Sequence, residues 1–172
     1  SHSVGVSAKT EMGTTSTTVR TNNNMYNSLS WNKIDGADGY YVYRRIPGNS
    51  WECIKVLKGG NSLKYQDKKV KSLETYQYMV RAYRSIEGKK WYSPYHCSGK
   101  IVTSPAVQKL SAVSSVKDGI RLTWKPQEKC SGYRIYRIDK NGTKKRITDI
   151  KNGKSSFYID RTAKKGQKYT YY

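Results

Sequence analysis

The sequence repeats itself at one fixed interval. Ser28-Leu29-Ser30-Trp31 and, after a polar turn, Gly39-Tyr40-Tyr41-Val42-Tyr43-Arg44 return as Arg121-Leu122-Thr123-Trp124 and Gly132-Tyr133-Arg134-Ile135-Tyr136-Arg137. Trp31 and Trp124, Gly39 and Gly132, Ile54 and Ile147, and Asp67 and Asp160 all stand 93 positions apart, so the copies align without a gap. The same offset carries Tyr76 onto Tyr169 and Tyr78 onto Tyr171, while the first copy runs on through Val80-Arg81-Ala82-Tyr83 and Trp91 to Thr103. A unit of this size can bury a core of its own. The 172 residues are therefore expected to form two domains, 1–105 with an extra N-terminal segment and 106–172, the second incomplete at its C-terminal end. Ser104-Pro105 is the whole linker in this division, which predicts a stiff tandem.

Within each copy the apolar residues alternate with a period of two, the signature of half-buried strands. Leu29 and Trp31 share one parity, as do Tyr40 and Val42, and Tyr133 and Ile135 keep that parity in the second copy; these point inward. Tyr76, Tyr78, Val80 and Ala82 form the inward row of a long strand from Thr75 to Arg84, with Gln77, Met79, Arg81 and Tyr83 on the other side. Further strands are predicted over 51–57, 63–65 and, with Pro94 as a bulge or edge marker, between Trp91 and Thr103. At the N-terminus two readings stand open, a first strand at Val4–Val6 or one at Thr17–Thr21. The second copy repeats the pattern near 110–113, 120–124, 133–138, 145–150, 155–159 and 168–172. Gly, Asn, Asp and Pro clusters separate the segments, and no segment has a helical period. This is an all-β chain of antiparallel sandwiches.

Composition excludes several functions. His2 and His96 are the only histidines, neither sits beside a plausible Ser or Cys nucleophile, and no carboxylate pair recurs, so an enzyme is not expected. Cys53, Cys97 and Cys130 show no metal-knuckle spacing and do not recur at the offset, and no cofactor motif is present. No apolar run approaches the roughly 18 residues of a membrane span. Lys and Arg number 33 against 12 Asp and Glu, a net charge of +21, with 16 basic against 7 acidic in 1–105 and 17 against 5 in 106–172. Such a charge favours anionic partners without naming one. Nucleic acid is disfavoured, because no recognition motif accompanies the charge and the lysines are scattered over turns.

Each copy resembles a fibronectin type III domain. The match rests on the Trp of the second strand (Trp31, Trp124), the Gly-Tyr-x-Val/Ile-Tyr third strand, and the sixth-strand Tyr followed in the first copy by x-Tyr-x-Val-x-Ala. The resemblance implies two immunoglobulin-like sandwiches in tandem, the second lacking its last strand. It also implies a four-stranded sheet of third, fourth, sixth and seventh strands. Tyr76 and Tyr169 would make the family's corner, each hydroxyl bonding upstream backbone, with Val70 and Ala163 at its usual Leu position. The lysine-rich style is similar to modules of secreted or surface proteins of Gram-positive bacteria.

The outer face of that sheet in the first domain is the candidate ligand face: Tyr41, Tyr43, Arg81 and Tyr83, with Trp51 and Trp91 on its flanking strands. Aromatic planes there could stack on sugar rings. The competing reading makes them cross-strand pairs that stabilise an exposed sheet. The function expected is a non-catalytic extracellular or cell-wall module, a spacer or adhesion segment whose partners are other domains of its own polypeptide, wall polymer or a host surface protein. The alternative is a glycan- or wall-polymer-binding module, including one accessory to a polysaccharide-degrading enzyme.

Overall fold

The structure, a computed structural model, describes residues 11–22 and 25–172. Those residues form fifteen strands and no helix, and the chain divides into two compact units, Ser1–Ser104 and Pro105–Tyr172. The alternative first strand at Val4–Val6 lies outside the described residues.

In the first unit, β1 (Thr15–Asn22), β2 (Tyr26–Trp31) and β5 (Lys64–Asp67) form one sheet in the order β5-β2-β1, extended by β8 (Tyr95–His96), which pairs with β1 in parallel. The facing sheet runs β4-β3-β6-β7, from Glu52–Lys58, Gly39–Arg45, Thr75–Ile86 and Lys89–Tyr92, with β9 (Ile101–Val102) also paired to β6. The stretch expected as one last strand from Trp91 to Thr103 is thus three short ones. Pro94 lacks an N–H and interrupts the ladder, and its carbonyl instead accepts from the Thr15 N–H, drawing the chain across to the opposite sheet.

Leu29, Trp31, Tyr40, Val42, Tyr76, Tyr78, Val80 and Ala82 are all buried between the two sheets, with Trp31 tilted against Tyr40 at 5.5 Å. The second unit repeats the arrangement in two three-stranded sheets. One is β10-β11-β14 (Leu110–Val116, Gly119–Trp124, Phe157–Asp160) and the other β13-β12-β15 (Lys144–Ile150, Tyr133–Ile138, Thr170–Tyr171). Leu122, Trp124, Ile135 and Tyr171 form its buried cluster, and Trp124 meets Tyr133 at 5.2 Å.

Two sets of polar contacts recur at the offset and tie sheet to sheet. At one end, the Tyr40 hydroxyl accepts from the Ile34 N–H and donates to the Gly60 carbonyl, as Tyr133 does with Gln127 and Gly153. At the other end, Asp67 on β5 accepts from Arg44 of β3 at 2.9 Å and from the Tyr78 hydroxyl of β6 at 2.9 Å. Asp160 accepts from Arg137 at 2.7 Å and from Tyr171 at 2.9 Å. Each Asp also caps its own turn, through the Lys69 or Thr162 N–H. The corner tyrosines lie beside this cluster, with Tyr76 accepting from the Lys71 N–H and Tyr169 from the Lys164 N–H.

Burial pushes the Asp160 carboxyl up, but the bonds from Thr162, Tyr171 and Arg137 outweigh it and hold the group below the ordinary aspartate value. Its folded value therefore lies below its unfolded one. The stabilisation is fully present above the ordinary aspartate range near ~3.9 and is lost as pH falls through the lower folded value. Replacing Asp160 with Ala strands the Arg137 charge, and urea unfolding of the second unit is expected to show a loss of about 3–5 kcal/mol. That loss should shrink as the same pair of proteins is compared at pH values falling progressively below the ordinary aspartate range. An unchanged difference there would mean that the carboxylate is not the stabilising group.

Candidate binding face of the first unit

The outer face of sheet β4-β3-β6-β7 is laid out by register. Tyr41 stands opposite Arg81, Tyr43 opposite Met79, and Arg45 opposite Gln77. On the β4 side Tyr43 faces the exposed Cys53, after a bulge between Val42 and Tyr43. Gly39 stands opposite Tyr83, whose ring lies across the glycine backbone; a Cβ there would overlap both that ring and the Leu57 carbonyl. Gly132 meets the Ile150 carbonyl in the same way, which accounts for the recurrent Gly before Tyr.

Tyr41, Tyr43 and Arg81 share this face and are partly exposed. Tyr83 has the right parity but is only 7% exposed, because the Tyr41 ring meets it edge-on at 5.2 Å and Lys90 Nζ sits 5.2 Å above it. Met79, expected on the same face, is 5% exposed opposite Tyr43. Neither offers a surface. Trp91 stands opposite Arg84, so it shares the parity of Ala82 and Val80 and lies off the face; Tyr92, opposite Tyr83, takes its place. Trp51 packs under Arg45 with the guanidinium 4.5 Å from its ring, while Arg45 also donates to Gln77 at 3.0 Å. Tyr92 and Tyr95, which the sequence did not single out, are 39% and 40% exposed and flank the Arg81 guanidinium at 5.2 and 5.5 Å. A count of hairpin register from the Glu87-Gly88 turn would have found Tyr92. No sequence signal marks Tyr95.

The cations on this face are already engaged. Arg81 Nε donates to the Ser93 carbonyl at 3.1 Å, and Lys90 Nζ donates to the Tyr41 hydroxyl at 2.7 Å. The hydrogen bond from Lys90 lowers the Tyr41 phenol below its ordinary value and raises Lys90, whereas burial raises Tyr43 and Tyr92. The arrangement is a set of alternating rings and cations that satisfy one another. Among the described residues no three His, Cys, Asp or Glu are grouped to hold a metal, and no helix is long and apolar enough to cross a membrane.

With Lys90→Met the Tyr41 phenol is expected to titrate at higher pH than in the parent protein, because the cation that favours the phenolate is gone. Carbon NMR of the ring during an alkaline titration reads this, and an unmoved Tyr41 titration would deny the Lys90 contact in solution.

No family model matches the chain, and no curated protein matches it. Solved structures do. The two-domain fibronectin type III segment of chicken tenascin superposes with a TM-score of 0.54 at 15% identity, over 89% of this chain and 85% of that one. The first to third fibronectin domains of chicken contactin match with a TM-score of 0.48 at 14% identity, over 93% of this chain. The chain spans 60% of the contactin segment's length. The sheets, the paired tryptophans and the tenascin likeness together give this chain the fold of tandem fibronectin type III sandwiches.

Proposed function

We propose that the chain is a non-catalytic module of a secreted or cell-surface bacterial protein, serving as a spacer or adhesion segment between other domains of the same polypeptide. The observation that carries this reading is the self-pairing of the outer face. Arg81 is bonded to Ser93 and flanked by two tyrosines, Lys90 is bonded to Tyr41, and Arg45 is held by Trp51 and Gln77. A ligand would have to break those contacts before making its own. The net charge of +21 then acts as surface chemistry, attracting anionic wall polymers at long range without a built site.

A second reading, a glycan- or wall-polymer-binding module, draws on the exposed rings of Tyr92 and Tyr95 beside Tyr41 and Tyr43. Such rings could take the apolar face of a sugar, and the module could then serve a polysaccharide-degrading enzyme or contact a host surface protein.

A screen of the 172-residue protein against neutral glycans and purified anionic wall polymers, at low and at physiological salt, separates the two. For a spacer, binding to polyanions at low salt fades as ionic strength rises and is indifferent to Tyr43→Ala and Tyr92→Ala. Binding that survives salt and is lost in both variants would replace the spacer reading with the glycan one.

A further inference from the structure

The second unit contains the sequence Lys-Asn-Gly twice, as Lys140-Asn141-Gly142 and as Lys151-Asn152-Gly153. An asparagine followed by glycine can be attacked at its own side-chain amide by the next backbone nitrogen, because glycine has no Cβ to hinder the approach. Alike in sequence, the two are held differently by the fold.

Asn141 and Gly142 lie exposed in the turn that joins β12 to β13. Gly142 has a φ of 81°, and a Cβ there would meet nothing within 4 Å. The Asp139 carboxylate accepts from the Asn141 and Thr143 N–H groups at 2.9 and 3.0 Å, and the Gly142 N–H donates to the Asp139 carbonyl at 3.0 Å. The side chain of Asn141 enters none of these bonds, so nothing in the turn holds its Cγ away from the Gly142 nitrogen. Only the surface bond to the Asp139 carbonyl has to open, and water can replace it. Lys140, Lys144 and Lys145 border the turn, and their charge favours the deprotonated nitrogen that attacks.

Asn152 is tied down on every side. Its Oδ1 accepts from the Lys154 N–H at 2.9 Å and its carbonyl from the Ser155 N–H at 3.1 Å. Gly153 lies so close to the Cys130 carbonyl that a Cβ would overlap it, and its own carbonyl accepts from the Tyr133 hydroxyl at 3.0 Å. That hydroxyl bond recurs in the first unit between Tyr40 and Gly60. The backbone therefore cannot turn toward the Asn152 amide without breaking a tie that anchors the loop to β12.

We propose that Asn141 is a site of spontaneous deamidation and that the fold keeps Asn152 unreactive. Solvent takes the Gly142 amide proton and the nitrogen bonds to Asn141 Cγ. The Cγ–Nδ2 bond then breaks, and Nδ2 leaves as ammonia with a proton from solvent. Water opens the resulting cyclic imide at either carbonyl, giving aspartate or isoaspartate and returning a proton to the Gly142 nitrogen. A carboxylate thereby replaces a neutral amide in a unit carrying 17 basic against 5 acidic residues. The isoaspartate product also routes the backbone of this turn through an extra methylene.

The 172-residue protein is held in mildly alkaline buffer, either folded or unfolded in guanidinium, and sampled over time. Cleavage after Asp139, Asp149 and Asp160 puts the two asparagines on separate peptides. Mass spectrometry reads deamidation, and enzymatic methylation reads isoaspartate. In the folded protein Asn141 is expected to convert at least about tenfold faster than Asn152, whose reaction waits on local opening. In guanidinium the two are expected to react at comparable rates. The proposal is overturned if Asn152 keeps pace with Asn141 in the folded protein, or if folded Asn141 stays intact while it reacts in guanidinium. It is equally overturned if the difference survives unfolding, since the following Thr143 or Lys154 would then be its cause.

Discussion

An arginine on an inward-facing row must find a carboxylate, and that requirement organises both units. Arg44 follows Tyr40 and Val42 on the buried side of β3, and the Asp67 carboxylate across the sandwich, with the Lys69 carbonyl and with Glu52 at the rim, compensates its removal from water. Asp67 is itself fully buried and belongs to the opposite sheet, so satisfying the charge fixes how the sheets meet at that end. Tyr78 completes the cluster, donating to Asp67 and accepting from Asn27. The cost of stripping water from these ions is offset by the bonds each of them makes, and removing one partner would leave the other charge buried and unpaired. The Tyr40 hydroxyl, bridging Ile34 and Gly60, does for the other end what the ion cluster does here.

The two units reach the same arrangement with different accessories. Where Asn27 supports Tyr78, the second unit has Ile120; where Lys69 offers only its backbone N–H to Asp67, Thr162 adds its hydroxyl to Asp160. Burial raises the tyrosine in both clusters, so each phenol remains a hydrogen-bond donor across the ordinary pH range. The guanidinium in each cluster also lies over the corner tyrosine, Arg44 over Tyr76 and Arg137 over Tyr169. Corner and ion cluster are therefore one packed assembly rather than two separate devices.

Outside the core, the first unit spends its exposed aromatics on one another. Tyr41 meets Tyr83 and Tyr92 edge-on, and Arg81 lies between Tyr92 and Tyr95. This pairing covers the outer sheet without a second layer of structure, and it leaves the face patterned but already satisfied. The second unit stacks Tyr136 on Tyr172 beneath Lys144, a smaller version of the same device.

The repeat, the strands and their inward rows were legible in the residues, because a period of two and an offset of 93 are properties of the chain alone. Trp31, Tyr40, Val42 and Tyr78 are buried as their parity required. The recurrence of Asp67 and Asp160 was visible, but the arginines they hold were not assigned. Parity says that Arg44 points inward, and only the approach of the second sheet says what it meets there. Parity likewise put Tyr83 and Met79 on the outer face, where neighbouring strands cover them, and Trp91 was grouped with a face whose hairpin register belongs to Tyr92. Which strand passes over which side chain depends on contacts between residues far apart in the chain, and those are decided by the tertiary structure, since exposure belongs to the packed sheet and not to a single strand.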